Sequence, residues 1–185
     1  MTPTWRHLRD RAQDDLEQAG VAADPRQEVR WLVERASGLS AAEQASAGDD
    51  PADPRHAATF EALVARRAAG EPLQYVLGRW GFRTLDLYVD ARVLIPRPET
   101  EVVAGLAIDA LAPGPVRAVD LGTGSGAIAL SVVAERWPDA EVWATDASGE
   151  ALAVARANLA GLGRRGAAVR LVEGDWFGAL PDELR

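Results

Sequence analysis

Residues 118–130 read AVDLGTGSGAIAL. An apolar run reaches Asp120 and Leu121, passes through Gly122, Gly124 and Gly126, and gives way to a second apolar run. This pattern predicts a strand over 116–121, a tight turn poor in side chains, and a helix over 125–137. Glycine lets the chain turn sharply from strand into helix and lets a ligand approach without meeting a Cβ. The helix start beyond the turn offers N–H groups that have no partner within the helix. Reading outward, a helix over 99–112 precedes the first strand, with Val102, Val103, Leu106 and Ala110 expected on its apolar face. Strands over 141–146 and 168–173 follow it, separated by a helix over 148–162 carrying Ala151, Leu152, Ala155 and Leu159. This βαβαβ order predicts an α/β fold with a parallel sheet wrapped by helices.

The glycines alone leave the ligand open. Gly122, Gly124 and Ala127 satisfy the dinucleotide pattern G-x-G-x-x-G/A. Gly122, Gly124 and Gly126 equally satisfy the G-x-G-x-G turn of methyltransferases that use S-adenosylmethionine. Three neighbouring carboxylates decide between NAD and the sulfonium cofactor. Asp120 stands just before the first glycine, where a carboxylate repels a pyrophosphate and suits an α-ammonium and a sulfonium. Asp146 ends the next strand, where it can accept hydrogen bonds from a ribose diol, a feature common to both cofactors. Asp175 ends the third strand within EGDWF (173–177), positioned for an adenine amino group, and Trp176 could cover the ring by stacking. An aromatic after a strand also serves as core, so Trp176 has two readings. No G-K-[ST] follows the turn and no G-x-S-x-G elbow occurs, which excludes a P-loop and argues against a hydrolase triad.

Composition narrows the class further. The 185 residues carry a formal net charge of −8, which disfavours broad neutralisation of nucleic-acid phosphates. There is no cysteine, so disulfides and thiolate metal sites are excluded. The N-terminus carries charges throughout, unlike a secretory signal, and no run approaches the roughly 18 apolar residues of a membrane span. A soluble, cytoplasmic protein is the expectation. All 20 basic residues are arginine, a bias that GC-rich coding explains.

The first 70 residues read as helices. Thr2 and Pro3 are expected to open the first, with Trp5, Leu8, Ala12, Leu16 and Ala19 on one face and Gly20 as its stop. Asp24-Pro25 with Gln27 predicts a capping box over a second helix bearing Val29, Leu32, Val33 and Ala36, ended by Gly38. Ser40 with Glu43 repeats that signature, and Asp53-Pro54 opens a fourth helix carrying Phe60, Leu63, Val64 and Ala68. His7 and His56 lack metal-ligand company and read as surface or half-buried helix residues. Residues 71–98 are rich in aromatic and β-branched types and predict a β hairpin centred near Arg83-Thr84. Just beyond it, VLIPRPETEVV (93–103) holds Arg97 between two prolines and starts a helix with acids, a candidate rigid lip beside the cofactor cleft.

EPLQYVLGRWGF (71–82), VLIPRPETE (93–101), DLGTGSGAIAL (120–130), TDAS..AL..A..N (145–158) and GDWF (174–177) together resemble the release factor glutamine methyltransferases, in that family's order. RPETE is the most discriminating of these pieces. The resemblance implies a helical N-terminal substrate-recognition domain over 1–70, a β-hairpin linker over 71–98, and a Rossmann-like class I methyltransferase domain over 99–185, with only its first three strands. It implies that Gly122, Thr123, Gly124, Ser125, Gly126, Asp146 and Trp176 hold S-adenosyl-L-methionine, and that Arg97, Glu99 and Thr100 border its methionine end. The implied partners are peptide-chain release factors, methylated on the side-chain amide of the Gly-Gly-Gln glutamine. Neither direct nucleic-acid binding nor a membrane is expected.

Two departures qualify the likeness. The family's catalytic Asn-Pro-Pro-Tyr does not occur among the 185 residues, and Arg83-Thr84 stands where a glycine is usual. An amide nitrogen is a poor nucleophile, and that motif's acceptors orient its lone pair for attack. These residues are therefore expected to be part of a longer protein and, alone, to bind cofactor weakly without catalysing. Competing readings are a same-fold methyltransferase acting on another protein glutamine or an adenine, and a non-catalytic helical adaptor with a vestigial nucleotide fold.

Overall fold

Capping side chains delimit the helices at the start of the chain. The computed structural model describes residues 2–184. It divides into two compact units, Met1–Leu77 and Gly78–Arg185, so the segment 71–98 is shared between them.

The first unit holds α1 (Trp5–Ala19), α2 (Pro25–Ser37), α3 (Ala41–Ser46), α4 (Pro54–Ala68) and α5 (Leu73–Leu77). Helix α1 starts later than Thr2-Pro3 predicts. The Pro3 carbonyl accepts from Ala52 N at 2.9 Å and Thr4 bridges Pro51, so the chain stays extended until Thr4 caps the helix. Asp24 caps α2 by accepting from Gln27 N at 3.0 Å. The Gln27 side chain does not close the expected box; its oxygen accepts from Arg30 instead. Ser40 and Glu43 do form a reciprocal capping box over α3. Residues 73–77 are helical where the sequence predicts extended chain. Leu73, Val76 and Leu77 share one side of that turn and are buried, which explains the choice.

Trp5, Leu8, Leu16, Val29, Leu32, Val33, Phe60 and Val64 form the core of this unit, and Trp5 meets Phe60 edge to face at 6.0 Å between ring centres. One ion pair is set into it. Arg67 donates to Glu28 at 2.7 Å, to the Glu71 carbonyl at 3.1 Å, and to the Val21 carbonyl. Both side chains are almost wholly buried, and each guanidinium edge finds an acceptor.

The second unit opens with the hairpin of β1 (Arg79–Phe82) and β2 (Leu85–Tyr88), in which Phe82 faces Leu85 across a two-residue turn. Arg83 takes φ 51°, the left-handed region that glycine occupies freely. Its side chain compensates for that strain. The guanidinium pairs bidentately with Glu135 at 2.7 and 2.8 Å and donates to the Glu101 carbonyl at 3.0 Å. It lies over Gly105, where a Cβ would come within 3.0 Å of it.

Then come α6 (Pro98–Ala110), β3 (Val116–Leu121), α7 (Ala127–Arg136), β4 (Ala140–Asp146), α8 (Gly149–Gly161) and β5 (Val169–Glu173). The strands pair in parallel in the order β3-β4-β5, as the βαβαβ pattern predicts. Helix α6 carries the expected apolar face, and that face is turned to solvent. Val102, Val103 and Leu106 are 64%, 56% and 66% exposed, while Ala104 and Ile108 are buried. At roughly 100° per residue, positions 101, 104, 105 and 108 share one side of the helix and 102, 103 and 106 lie opposite. The side holding Gly105 and Glu101 is the one Arg83 grips. Among the described residues no helix is long and apolar enough to cross a membrane.

Candidate cofactor site

The strand ends determine where the site lies. Asp120 pairs with Ala144 and Leu121 with Thr145, while Asp146 pairs with Glu173. The turn after β3 therefore begins beside the end of β4, and the Thr145 carbonyl accepts from both Gly122 N at 2.9 Å and Thr123 N at 2.8 Å. Gly126 N donates to the Thr123 carbonyl at 2.8 Å and closes the turn. Gly122, Gly124 and Gly126 have φ of 75°, 55° and 84°, which explains why this turn is built of glycine. Their missing side chains serve different ends. A Cβ on Gly126 would lie 3.0 Å from Leu130 and 3.6 Å from Ala155, so that glycine admits close packing of α7 and α8. A Cβ on Gly122 or Gly124 would meet nothing within 4 Å, so those two leave backbone open to an approaching molecule.

Asp146 organises the turn from β4. Its Oδ2 accepts from Gly124 N at 2.9 Å and its Oδ1 from Ser148 N at 2.9 Å. An ionised carboxylate has about four lone-pair positions, so each oxygen retains capacity for a ligand hydroxyl. Asp120 is turned inward instead. Its Oδ2 accepts from the Thr123 hydroxyl at 2.7 Å and from Ala129 N at 3.2 Å, which satisfies the first turn of α7. Burial pushes the Asp120 carboxyl above its ordinary value. The Thr123 and Ala129 bonds pull it down, and the charge of Asp146 adds to the rise. Two carboxylates thus lie in each other's field at the ends of adjacent strands, an arrangement that attracts a cation and repels a pyrophosphate.

Thr123 and Ser125 are buried within the turn. Gly174 N donates to the Asp146 carbonyl at 3.0 Å, which brings the GDWF segment alongside Asp146. Asp175 is exposed and starts a short helix over Trp176–Ala179. Trp176 is 67% exposed with φ 45°, so of its two readings the core one fails. Arg97 and Glu99 are exposed at the start of α6, and Thr100 N donates to the Arg97 carbonyl at 2.9 Å. Among the described residues, the side chains of these three make no hydrogen bond to the glycine turn.

The local sequence marks no role for Asn158, which closes the TDAS..AL..A..N segment. Its Nδ2 donates to the Ser125 carbonyl at 2.8 Å and to the Tyr88 carbonyl at 3.0 Å, and its Oδ1 accepts from Tyr88 N at 2.6 Å. The available signal is an asparagine in a helix interior, where it is a poor helix former and where its side chain must be serving something else.

Two family descriptions match the chain, the PrmC N-terminal domain over residues 7–78 and the methyltransferase small domain over residues 105–183. A release factor glutamine methyltransferase of Bordetella pertussis is 47% identical over 165 residues, covering 87% of this chain and 58% of the relative. One of Geobacter sulfurreducens is 39% identical over 180 residues, covering 97% and 61%. One of Escherichia coli is 34% identical over 165 residues, covering 89% and 58%. The chain thus spans about three fifths of the length of these curated relatives. Over the residues it spans, with one domain match following the other, this chain is similar to the release factor glutamine methyltransferases.

Proposed function

We propose that residues 116–179 form the S-adenosylmethionine site of a protein methyltransferase whose substrate is the Gly-Gly-Gln glutamine of peptide-chain release factors. The observation that carries this reading is the open backbone at Gly122 and Gly124 between two carboxylate-bearing strand ends. In this reading Gly122, Thr123, Gly124, Ser125 and Gly126 line the methionine side of the cofactor. Asp146 takes the ribose hydroxyls with the lone pairs its two backbone bonds leave free. Asp120 contributes negative field from behind the turn while holding Thr123 in place. Trp176, exposed and alongside Asp146, offers a face for the adenine ring. When bound, the cofactor supplies a methyl group made electrophilic by its sulfonium. The chain's own part is to hold that group in a fixed direction in a negative environment, which is a positioning and electrostatic contribution.

The substrate assignment rests on the names of the relatives and on the RPETE segment at the start of α6. The helical unit is the part assigned to engaging the release factor. The 185 residues hold no Asn-Pro-Pro-Tyr, so they offer no such acceptors for orienting a glutamine amide, and by themselves they transfer no methyl group.

Calorimetry with S-adenosylhomocysteine and NAD side by side tests the site. Binding of the first and not the second is expected, with Asp146→Ala weakening it by at least tenfold. Binding of NAD alone would overturn the reading. Methyl transfer to a release factor by these 185 residues would overturn the proposal that they are inactive by themselves.

A further inference from the structure

The second unit contains a side chain that touches both the glycine turn and the hairpin. Asn158 lies one helical turn beyond Ala155 on α8, and Ala155 is the residue that a Cβ on Gly126 would approach at 3.6 Å. The same face of α8 therefore abuts the turn at two successive levels. At the second level both N–H groups and the oxygen of the Asn158 amide find partners. It exchanges a pair of hydrogen bonds with the backbone N–H and C=O of Tyr88, as a neighbouring strand would at the end of β2. Its remaining N–H goes to the Ser125 carbonyl at 2.8 Å. Tyr88 leads directly into the segment through Asp90 and Arg92 towards the RPETE lip, and that segment is braced. Arg92 pairs with Asp90, which also accepts from the Tyr88 hydroxyl at 2.6 Å.

We propose that Asn158 is a positioning residue that couples the cofactor turn to the hairpin, so that the Ser125–Gly126 peptide and the chain leading to the lip are set as one piece. The proposal rests on the reading of the turn as the cofactor site. Only an amide can fill the place. The Tyr88 N–H needs an acceptor, and two carbonyls need donors from the same planar group. Aspartate would set an anion against two carbonyl oxygens, and leucine would leave three backbone groups without partners. The hairpin has a second anchor at its far end, Arg83 on Glu135 and the Glu101 carbonyl, which does not touch the glycine turn. That anchor supplies the control.

The test compares the full 185-residue chain with Asn158→Ala and Arg83→Gly. It reads global stability, the amide spectrum of the free protein, and affinity for S-adenosylhomocysteine. The Gly126 nitrogen resonance responds to hydrogen bonding at the preceding carbonyl, so it should shift in Asn158→Ala and stay put in Arg83→Gly. The Tyr88 amide should lose protection from exchange in Asn158→Ala. Affinity should fall about tenfold in Asn158→Ala, the size expected for a lost hydrogen bond at a partly buried site, and remain within about twofold in Arg83→Gly. An unshifted Gly126 with unchanged affinity would overturn the proposal and reduce Asn158 to a hairpin brace. If Asn158→Ala does not fold, the unaltered chain decides. Saturation with S-adenosylhomocysteine should slow exchange of the Tyr88 amide, and protection confined to 122–129 would overturn the coupling. An unaltered chain that binds no S-adenosylhomocysteine would instead remove the cofactor reading, while the Gly126 shift would still judge the contact in the free protein.

Discussion

The two units treat their large apolar side chains differently. Among the described residues up to Leu77, Trp31 is the large hydrophobic residue left exposed. In the second unit Leu94, Val102, Val103, Leu106, Val119, Trp176 and Phe177 all face solvent. The first unit is closed by local rules: each long helix has a cap, a stripe and a stop, and the stripes converge on one core. In the second, three exposed residues of α6 look like core in sequence, and Arg83 of the hairpin grips the opposite side of that helix.

The sharpest way to break this contrast is the buried ion pair of the helical unit. Arg67→Ala leaves Glu28 charged and without its partner, and a loss of about 3–5 kcal/mol in chemical denaturation is expected. Retention of stability would mean that the core is less closed than its burial implies. Leu32→Ala removes a fully buried side chain and should cost about 2–5 kcal/mol by the same measurement.

Asp120→Asn tests the sheet unit in the opposite direction. Burial raises this carboxyl, so its neutral form fits the fold better than its ion. The stability it contributes is full below the unfolded carboxylate value near pH ~4 and is lost as pH rises through the folded value. The asparagine can still accept from Thr123 and Ala129, so the variant should melt slightly higher than the parent at neutral pH. That advantage should vanish on acidification. S-adenosylhomocysteine should bind more weakly, since the carboxylate field is halved. The smallest effect belongs to Leu106→Ala, expected within about 0.5 kcal/mol of the parent. A loss as large as that of Leu32→Ala would erase the difference between the units.

Much of this architecture is readable from the chain alone, for identifiable reasons. Asp24, Ser40 and Asp53 cap helices because their oxygens reach free N–H groups two or three residues on, a purely local event. The parallel strands and the glycine turn follow from period and composition. What escaped reading depends on distant partners. Thr4 rather than Thr2 caps α1 because residues 51 and 52 hold the chain extended before it. The facing of α6 is set by a guanidinium from the hairpin, 18 residues before the carbonyl it reaches. Helical spacing in α6 shows an apolar stripe but not which way it points when small residues line the other side. Likewise Asn158 sits 70 residues from Tyr88 and 33 from Ser125, separations no local pattern encodes.

The hairpin tip also acts on α6 as a key acts in a slot. The guanidinium of Arg83 occupies the notch that residue 105 leaves empty and hooks the carbonyl one turn earlier. Turning the helix by a single residue would bring a side chain into that notch, so the azimuth of α6 is indexed from outside. Val102, Val103 and Leu106 then present a surface of fixed orientation, one that a substitution at 105 would swing out of alignment without altering any of the three.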